Sequence, residues 1–388
     1  MDNGIPWQSP PAPRRRSLVG DVTTDVAIVG GGVGGLATAW HLADRGIGAV
    51  VVEAGSVAAG ASGRNGGFLI AGAAPMYNDA RERFGPELAR RIYAATLDAQ
   101  REVYAVADDV GAASAFRRVG MLRLAVDAAE AAHVRAHAAA LVEDGFPARM
   151  LETGDLPAQL RRPGRAGLMV DDDAAIHPVR WLRALAAGLE ARGVRIYEGT
   201  AAALSDAGLA TAAGSVRARA TVVAADAAAA AMVPTYADRI RPRRLHMVAT
   251  GPLRVEHVRR PVYARYGHEY HQQLPDDRIV LGGFSDLDGE ASYTARGEAN
   301  PTVHARLARY LAEDLGVDAP VMHRWVGTVG YTDDGRPFAG EVPGRPGLYV
   351  MGGYCGTGNL CAWVGGRIVA DLIASGSNPD ADLFDAAR

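Results

Sequence analysis

The segment from Asp25 to Glu53 limits how this chain can fold more than any other. Val26 to Val29 is a short β-type run that leads directly into Gly30-Gly31-Gly32. A helical pattern follows from about Val33 to Arg45, and Ala49 to Glu53 reads as a second strand. A β-turn-α-β unit is therefore complete within ~30 residues. Inside it stands Gly30-x-Gly32-x-x-Gly35. The first glycine permits the tight strand-to-helix turn, the second lets backbone N–H groups approach a pyrophosphate, and the third allows close helix–sheet packing. Glu53 ends the second strand, where a carboxylate can accept hydrogen bonds from a ribose diol. A glycine triplet alone is weak evidence, but strand, helix and acid agree here on dinucleotide binding. The contacts predicted in this unit are Gly30, Gly32, Val33, Gly34, Gly35, Glu53 and Ala54.

Composition excludes several other chemistries. All 41 cationic residues are arginine, which removes Schiff-base lysine catalysis and a P-loop with its lysine. The net charge of −3 gives no global field for nucleic acid or acidic lipid, so neither a nucleic-acid nor a membrane partner is expected. The two cysteines, Cys355 and Cys361, fit no zinc pattern, so no metal is expected. Their scarcity points to a reducing compartment. No run approaches the ~18 apolar residues of a membrane span. The opening PWQSPPAPRRRS lacks an apolar region after its basic residues, so residues 1–20 read as an extended arm and the chain as cytoplasmic. The oligomeric state stays open.

Further along, residues 86 to 110 have the spacing of an amphipathic helix, with Leu88, Ile92, Tyr93 and Leu97 on one side. Gly120 to Val126 reads as a strand, Ala128 to Val142 as a helix, and His177-Pro178 opens another helix through Ala191. Arg241 to Gly283 is β-patterned, a helix runs from about Pro301 to Leu315, and the tail returns to α/β. Because α/β segments occur at both ends and in the middle, two interleaved domains fit better than two sequential ones.

The dinucleotide could be NAD or FAD, and one feature favours FAD. A second glycine-rich loop, GASGRNGGFL from Gly60 to Leu69, follows the strand that carries Glu53 and offers Ser62 and Arg64 as donors. The C-terminal LYVMGGYCGTGN aims another helix N-terminus at the same sheet, a dipole suited to the flavin edge where negative charge accumulates. An NAD-linked dehydrogenase remains the alternative enzyme. A flavoprotein acting only as a sensor or assembly subunit is the alternative from another class.

With these residues assembled, the sequence resembles the D-amino-acid oxidase family of FAD-dependent oxidoreductases. The likeness runs through DVAIVGGGVGGLATAWHLADRG, VVVEAGSVAAGASGRNGG, IHPVRWLRAL, GVRIYEGT, VVAADA, GYTDDGRPFAG and LYVMGGYCGTGN in family order. The Ser-Gly-Arg-Asn-Gly-Gly block and the proline/arginine arm look most like the gamma-glutamylputrescine oxidoreductase branch. The resemblance implies an α/β fold: a Rossmann-like FAD-binding domain interleaved with an α+β substrate domain built on an antiparallel sheet. The expected boundaries are 21–85, 150–235 and 326–388 for the FAD domain, and 86–149 and 236–325 for the substrate domain. It also implies FAD contacts at Ala61, Ser62, Arg64, Asn65, Gly66, Gly67, Ala202, Ala225, Gly353, Gly356, Thr357 and Gly358. The implied reaction removes a hydride from a carbon bearing an amine; the imine is hydrolysed, and the electrons pass to oxygen or another acceptor.

Departures from the family pattern carry their own expectations. Val329 stands where relatives hold the substrate carboxylate with an arginine, and Leu360 stands where others use a lysine. Simple amino acids such as glycine are therefore expected to be poor substrates. Residues 320 to 340 contain no cysteine, and Arg64 occupies the place of a histidyl linkage, so FAD should be held non-covalently. Without a lysine near the flavin, oxygen is expected to be a sluggish acceptor. Asp226 replaces a usual glycine.

For the substrate side, strict alternation along VYARYGHEYHQQL puts Tyr266, His268 and Tyr270 on one face. Tyr263, Arg265, Glu269 and His271 fall on the other. Tyr266 and His268, with Tyr331 and Tyr354 from segments expected beside the flavin, form the predicted substrate pocket, with His268 able to receive a substrate proton. His177 and His246 are weaker candidates.

Overall fold

The computed structural model describes residues 4–8, 10–161, 164–257 and 260–388. Residues 1–3 and 9 of the expected arm, and 162, 163, 258 and 259 of the expected domain ranges, lie outside the described residues. In chain order, the elements that place the site begin with β1 (Val26–Val29), α1 (Val33–Asp44), β2 (Ala49–Val52) and α2 (Pro86–Asp109). Next come β3 (Met121–Ala125), α3 (Ala128–Glu143), β4 (Arg149–Glu152), β5 (Ala166–Val170) and α4 (Pro178–Ala191). They are followed by β6 (Arg195–Tyr197), β7 (Ala220–Val223), β8 (Arg241–Thr250), β9 (Val262–Ala264), β10 (Glu269–Gln273) and β11 (Ile279–Gly283). The chain ends through α5 (Pro301–Arg309), β12 (Val321–Tyr331), β13 (Phe338–Glu341), β14 (Leu348–Gly352) and α6 (Gly358–Ser375).

Two sheets carry the architecture. One has the order β6-β2-β1-β7-β14-β13, parallel except for its last pair. Its strands are near-continuous apolar runs because both faces are covered, one by helices and the other by Leu209 and Val216 of a small outer sheet, which pack on Ala27, Val50 and Val52. On one side, Leu36 and Trp40 of α1 share a core with Trp363 and Val369 of α6 and with Leu182 and Leu189 of α4. The amphipathic α2 divides its faces: Ile92, Ala99 and Val103 join that core, while Tyr93 and Leu97 pack with Val134 of α3 and Leu168 of β5.

The second sheet has the order β12-β8-β11-β10-β9-β3-β5-β4. It is mixed rather than purely antiparallel, because β9 runs parallel to β3. Leu122, Val248 and Leu281 on its far face pack against Val303 and Leu307 of α5. Period-2 alternation turns the intervening residues to the other face, towards the glycine loops.

The expected single strand through VYARYGHEYHQQL is corrected by the structure. It is a hairpin, β9 and β10, joined by a 3-10 turn at Arg265–Gly267. Arg265 (φ 48°), Tyr266 (φ 56°) and Gly267 (φ 87°) all lie in the left-handed region, and a Cβ on Gly267 would stand 2.8 Å from the Tyr263 ring. The turn reverses the chain, so Tyr263 and Tyr270, assigned to opposite faces by simple alternation, become direct cross-strand partners on one face. The N-terminal arm also differs from a free extended segment: Pro6–Gln8 form a 3-10 turn and Trp7 is buried.

Candidate functional site

The glycine unit folds as the spacing predicts. Gly30 has φ 111°, and a side chain there would collide with the Ala224 carbonyl of β7's end. A side chain at Gly35 would strike the Gly30 carbonyl, so these two glycines permit the turn and the packing rather than lining a cavity. Gly32 is the N-cap of α1 and no side chain caps it; the Val33 N–H donates to Ser62 Oγ at 3.1 Å. The Glu53 carboxylate accepts from the Gly31 and Gly55 N–H groups, each at 2.7 Å, and keeps lone pairs for a further donor.

The second glycine loop is tied down at several points. Arg64 donates through Nε to Ala59 O (2.8 Å) and through its guanidinium to Val326 O (3.0 Å), while its own carbonyl accepts from Trp325 Nε1 (2.9 Å). Trp7 Nε1 donates to Asn65 O at 2.9 Å from below, and Gln272 Nε2 donates to the Gly66 and Gly67 carbonyls at 2.7 Å each. Neither Trp7 nor Gln272 carried a sequence signal for this role.

The third contribution comes from the chain's end. No side chain caps α6, and Gly356 (φ 92°) leaves open space before its first turn. Among the described residues the buried Tyr354 hydroxyl has no hydrogen-bond partner, and it would stand 3.0 Å from a Cβ on Gly34. Tyr354 therefore faces the glycine unit rather than the sheet. Asp226 adopts φ 47°, which explains why a glycine suits that position; its carboxylate accepts from Gly330 and Gly353 N–H, each at 3.0 Å. Burial pushes the Asp226 carboxyl up, opposed by those backbone donors.

All three contributions open onto one cavity of about 370 Å³. Of the predicted contacts, Gly32, Val33, Gly34, Ala61, Ser62, Arg64, Asn65, Gly66, Gly356, Thr357 and Gly358 line it. Gly30, Gly35, Glu53, Gly67, Ala225 and Gly353 are not among the residues that line it. Ala54 is exposed, and Ala202 begins a strand of a small outer sheet, Ala202–Ser205, so neither reaches the cavity.

The facing wall is the second sheet. Tyr263 and Tyr270 stack with centroids 5.5 Å apart, and Phe68 meets both edge-on at 5.3 and 5.8 Å. Arg243, Leu245 and Met247 of β8 and Gly327, Val329 and Tyr331 of β12 continue the same wall. Arg123 stands at the other end, where Tyr263 pairs with it in register. Burial raises the Tyr331 hydroxyl, opposed by Arg243. Tyr266 also lines the cavity, at its rim: it is 50% exposed and meets His133 edge-on. His268 lines the cavity; burial holds its imidazole below the ordinary histidine range, opposed by Asp286. That burial favours its neutral form over the cation.

The remaining candidates lie elsewhere. Glu269 and His271 are buried on the far side of β10, and Arg265 is paired with Glu269 and Asp286. Burial moves the Glu269 carboxyl up to about 8 and the His271 imidazole down to about 3. His177 caps α4 by accepting the Arg180 N–H at 3.2 Å, and His246 accepts the Asn300 N–H at 2.8 Å on the far face. Leu360 is buried in the core. Burial raises the Cys355 thiol to about 11 and the Cys361 thiol to about 12, so neither is a thiolate nucleophile at neutral pH. Among the described residues there is no cluster able to hold a metal ion and no helix long and apolar enough to cross a membrane.

Comparison with known proteins agrees with this geometry. Residues 25–372 match the family described as DAO, FAD dependent oxidoreductase. The chain is 29% identical over 402 residues to a probable oxidoreductase, OrdL, of Rhizobium meliloti (strain 1021), covering 98% of this chain and 90% of that protein. It is 26% identical over 386 residues to the gamma-glutamylputrescine oxidoreductase of Escherichia coli (strain K12), covering 94% and 86%. These similar identities single out no branch. The crystal structure of glycine oxidase from Geobacillus kaustophilus superposes with a TM-score of 0.78 at 24% identity, over 95% of this chain and 99% of that one, a likeness of fold.

Proposed function

The chain belongs to the FAD-dependent oxidoreductase family, and from that premise we propose which of its residues carry out the oxidation of an amine or amino-acid derivative. The reaction is FAD-dependent oxidation of a C–N bond to an imine, which water hydrolyses. The cofactor fits the cradle: the N-termini of α1 and α6, whose N-cap residues supply no side-chain cap, face one cavity, and the buried Tyr354 hydroxyl, unpartnered among the described residues, is aimed at Gly34. FAD, held non-covalently, supplies the acceptor for the hydride.

The chain's own residues bind, orient and deprotonate. In our reading Glu53 holds the ribose, the Gly32 to Gly34 and Gly356 to Gly358 turns hold the pyrophosphate and the ring edge, and Arg64 and Asn65 bound the flavin site. The FAD-binding domain is assigned to 21–85, 150–235 and 326–388, and the substrate domain to 86–149 and 236–325. Tyr263, Tyr270 and Tyr331 form the wall that orients the donor carbon. His268, neutral because burial disfavours its cation, takes a proton from the substrate ammonium so that the amine reacts with its lone pair free. The Ser62 to Gly67 block supports the gamma-glutamylputrescine oxidoreductase branch within the family.

His268 on the same cavity as the two helix termini is the observation that carries this reading. Anaerobic mixing of the yellow protein with a panel of primary amines, N-methyl amino acids and polyamine derivatives tests it. Loss of visible absorbance with at least one amine is expected. A protein that retains FAD and bleaches with none is a binding subunit instead.

A further inference from the structure

We propose that the N-terminal arm is a working part of the cofactor site and that Trp7 is the residue through which it positions the second glycine loop. The inference rests on the reading above that this loop bounds the flavin.

The arm is anchored at two places that bear on the loop. Near its start, Pro6–Gln8 turn Trp7 inwards, where it is 1% exposed and meets the His177 ring edge-on at 5.0 Å. Its Nε1 donates to the Asn65 carbonyl at 2.9 Å, and a Cβ on Gly67 would stand 3.3 Å from the same indole, so the ring packs closely under the loop. Further along, the Arg15 N–H donates to Glu198 Oε2 at 2.8 Å, and its guanidinium lies 3.3 Å from Oε1. That Oε1 also accepts the Val57 N–H at 2.7 Å. Glu198 is buried, and Arg15 supplies its counter-charge. The arm therefore holds the stretch 57–65 at both ends, directly at Asn65 and through Glu198 at Val57.

The effect reaches the cavity through one peptide. In a planar trans peptide the C=O and N–H point in opposite directions. Trp7 draws the Asn65 carbonyl to its own side, which turns the Gly66 N–H away from Trp7. Gly66 lines the cavity and Trp7 does not. The Gly66 and Gly67 carbonyls are taken by Gln272 Nε2 at 2.7 Å each, and the Gly67 N–H by Asn65 Oδ1 at 2.8 Å. With those groups occupied, the Gly66 N–H is a donor left to the cavity. A donor fixed in advance stabilises negative charge that develops on reduction. Docking of the arm and binding of FAD are then linked, each favouring the other by the same factor.

Variants of the full chain separate positioning from support. Trp7→Phe keeps an aromatic ring and loses the N–H; benzothienylalanine in place of Trp7 loses the N–H and keeps the bicyclic shape as well. Arg183→Gln, which removes the 3.0 Å tie from α4 to the Pro10 carbonyl elsewhere on the arm, is the control. Apoprotein titrated with FAD should bind it about 3- to 10-fold more weakly in both Trp7 variants, and within about twofold of wild type in Arg183→Gln. At saturating FAD the Trp7 variants should also show altered visible flavin bands and a lower midpoint potential. In trypsin digestion, FAD should protect the bonds after the exposed Arg14 and Arg16 in the wild-type protein, and protect them less in the Trp7 variants. Unchanged affinity in both Trp7 variants overturns the proposal, as does cleavage of the wild-type arm at the same rate with and without FAD. Weaker affinity with the wild-type spectrum and potential at saturation also overturns it, because Trp7 would then only prop the fold. Asn65→Ala keeps the underlying reading apart. Flavin bands unmoved by that change as well would show that the loop does not bound the flavin; bands moved by it and not by the Trp7 variants would sink only the arm's role.

Discussion

Asp226 Oδ1 lies 3.0 Å from the backbone nitrogen of Gly353, and Oδ2 of the same carboxylate lies 3.0 Å from that of Gly330. One side chain after the end of β7 thus joins the turn after β14 to the last residues of strand β12, both beside the cavity. Its φ of 47° is one that glycine adopts freely and alanine resists. Asp226→Ala should lower stability by about 2–4 kcal/mol through unsatisfied N–H groups and backbone strain. Asp226→Gly should cost about 1–2 kcal/mol less, because the strain is absent. Urea midpoints of the two variants check the order; equal losses would show that the hydrogen bonds alone matter.

Glu53 holds the turn through Gly31 and Gly55 in addition to its proposed ribose contact. Glu53→Ala should weaken FAD retention by about 1.5–3 kcal/mol, measured by dialysis and fluorescence of released flavin. Acid precipitation of the wild-type protein should leave all yellow colour in the supernatant. Colour in the pellet contradicts non-covalent binding.

His268 is held below the ordinary histidine range by burial, with Asp286 opposing. The neutral form is therefore favoured, and the acidic limb that His268 contributes to kcat/KM should lie below pH 6.5. His268→Asn should remove that limb and lower kcat/KM by about 10²- to 10⁴-fold for ammonium substrates. A limb unchanged in the variant would assign proton removal to another group.

His246 is fully buried and accepts the Asn300 N–H; burial, aided by His304 and Arg244, lowers it to about 4. The unfolded chain takes up this proton near pH 6.5 and the folded one does not until about 4. Stability from this group is therefore present above pH 6.5 and is lost as pH falls to about 4. Unfolding free energy should decline across that window, and His246→Gln should reduce the slope by up to about one proton. A variant with the wild-type slope would place the uptake at other buried histidines, such as His41 and His271.

Local sequence sufficed where local rules decide the structure. Gly30 makes the turn and Gly35 the close packing that their spacing predicts, and Gly32 and Glu53 stand at the helix N-terminus and the strand end, because strand, turn and helix are contiguous there; α2 appears as Pro86–Asp109 for the same reason. The substrate wall was less legible. Alternation assumed an unbroken strand from Tyr263 to His271, whereas three successive left-handed residues, two of them not glycine, reverse it. Arg243 went unnoticed because three arginines lie within Arg241 to Arg244, and only the pairing with β12 and the positions of Asp288 and Glu290 separate their fates. Trp7 was hidden for a similar reason: an arm rich in proline and arginine gives no periodicity from which docking under Asn65 could be inferred.

The most direct test of the central claim is anaerobic stopped-flow mixing of the holoenzyme with a panel of primary amines, N-methyl amino acids and polyamine derivatives. The account predicts saturable loss of visible absorbance with at least one of them, slowed by about 10²- to 10⁴-fold in His268→Asn. Full retention of FAD with no bleaching by any of these amines would contradict it.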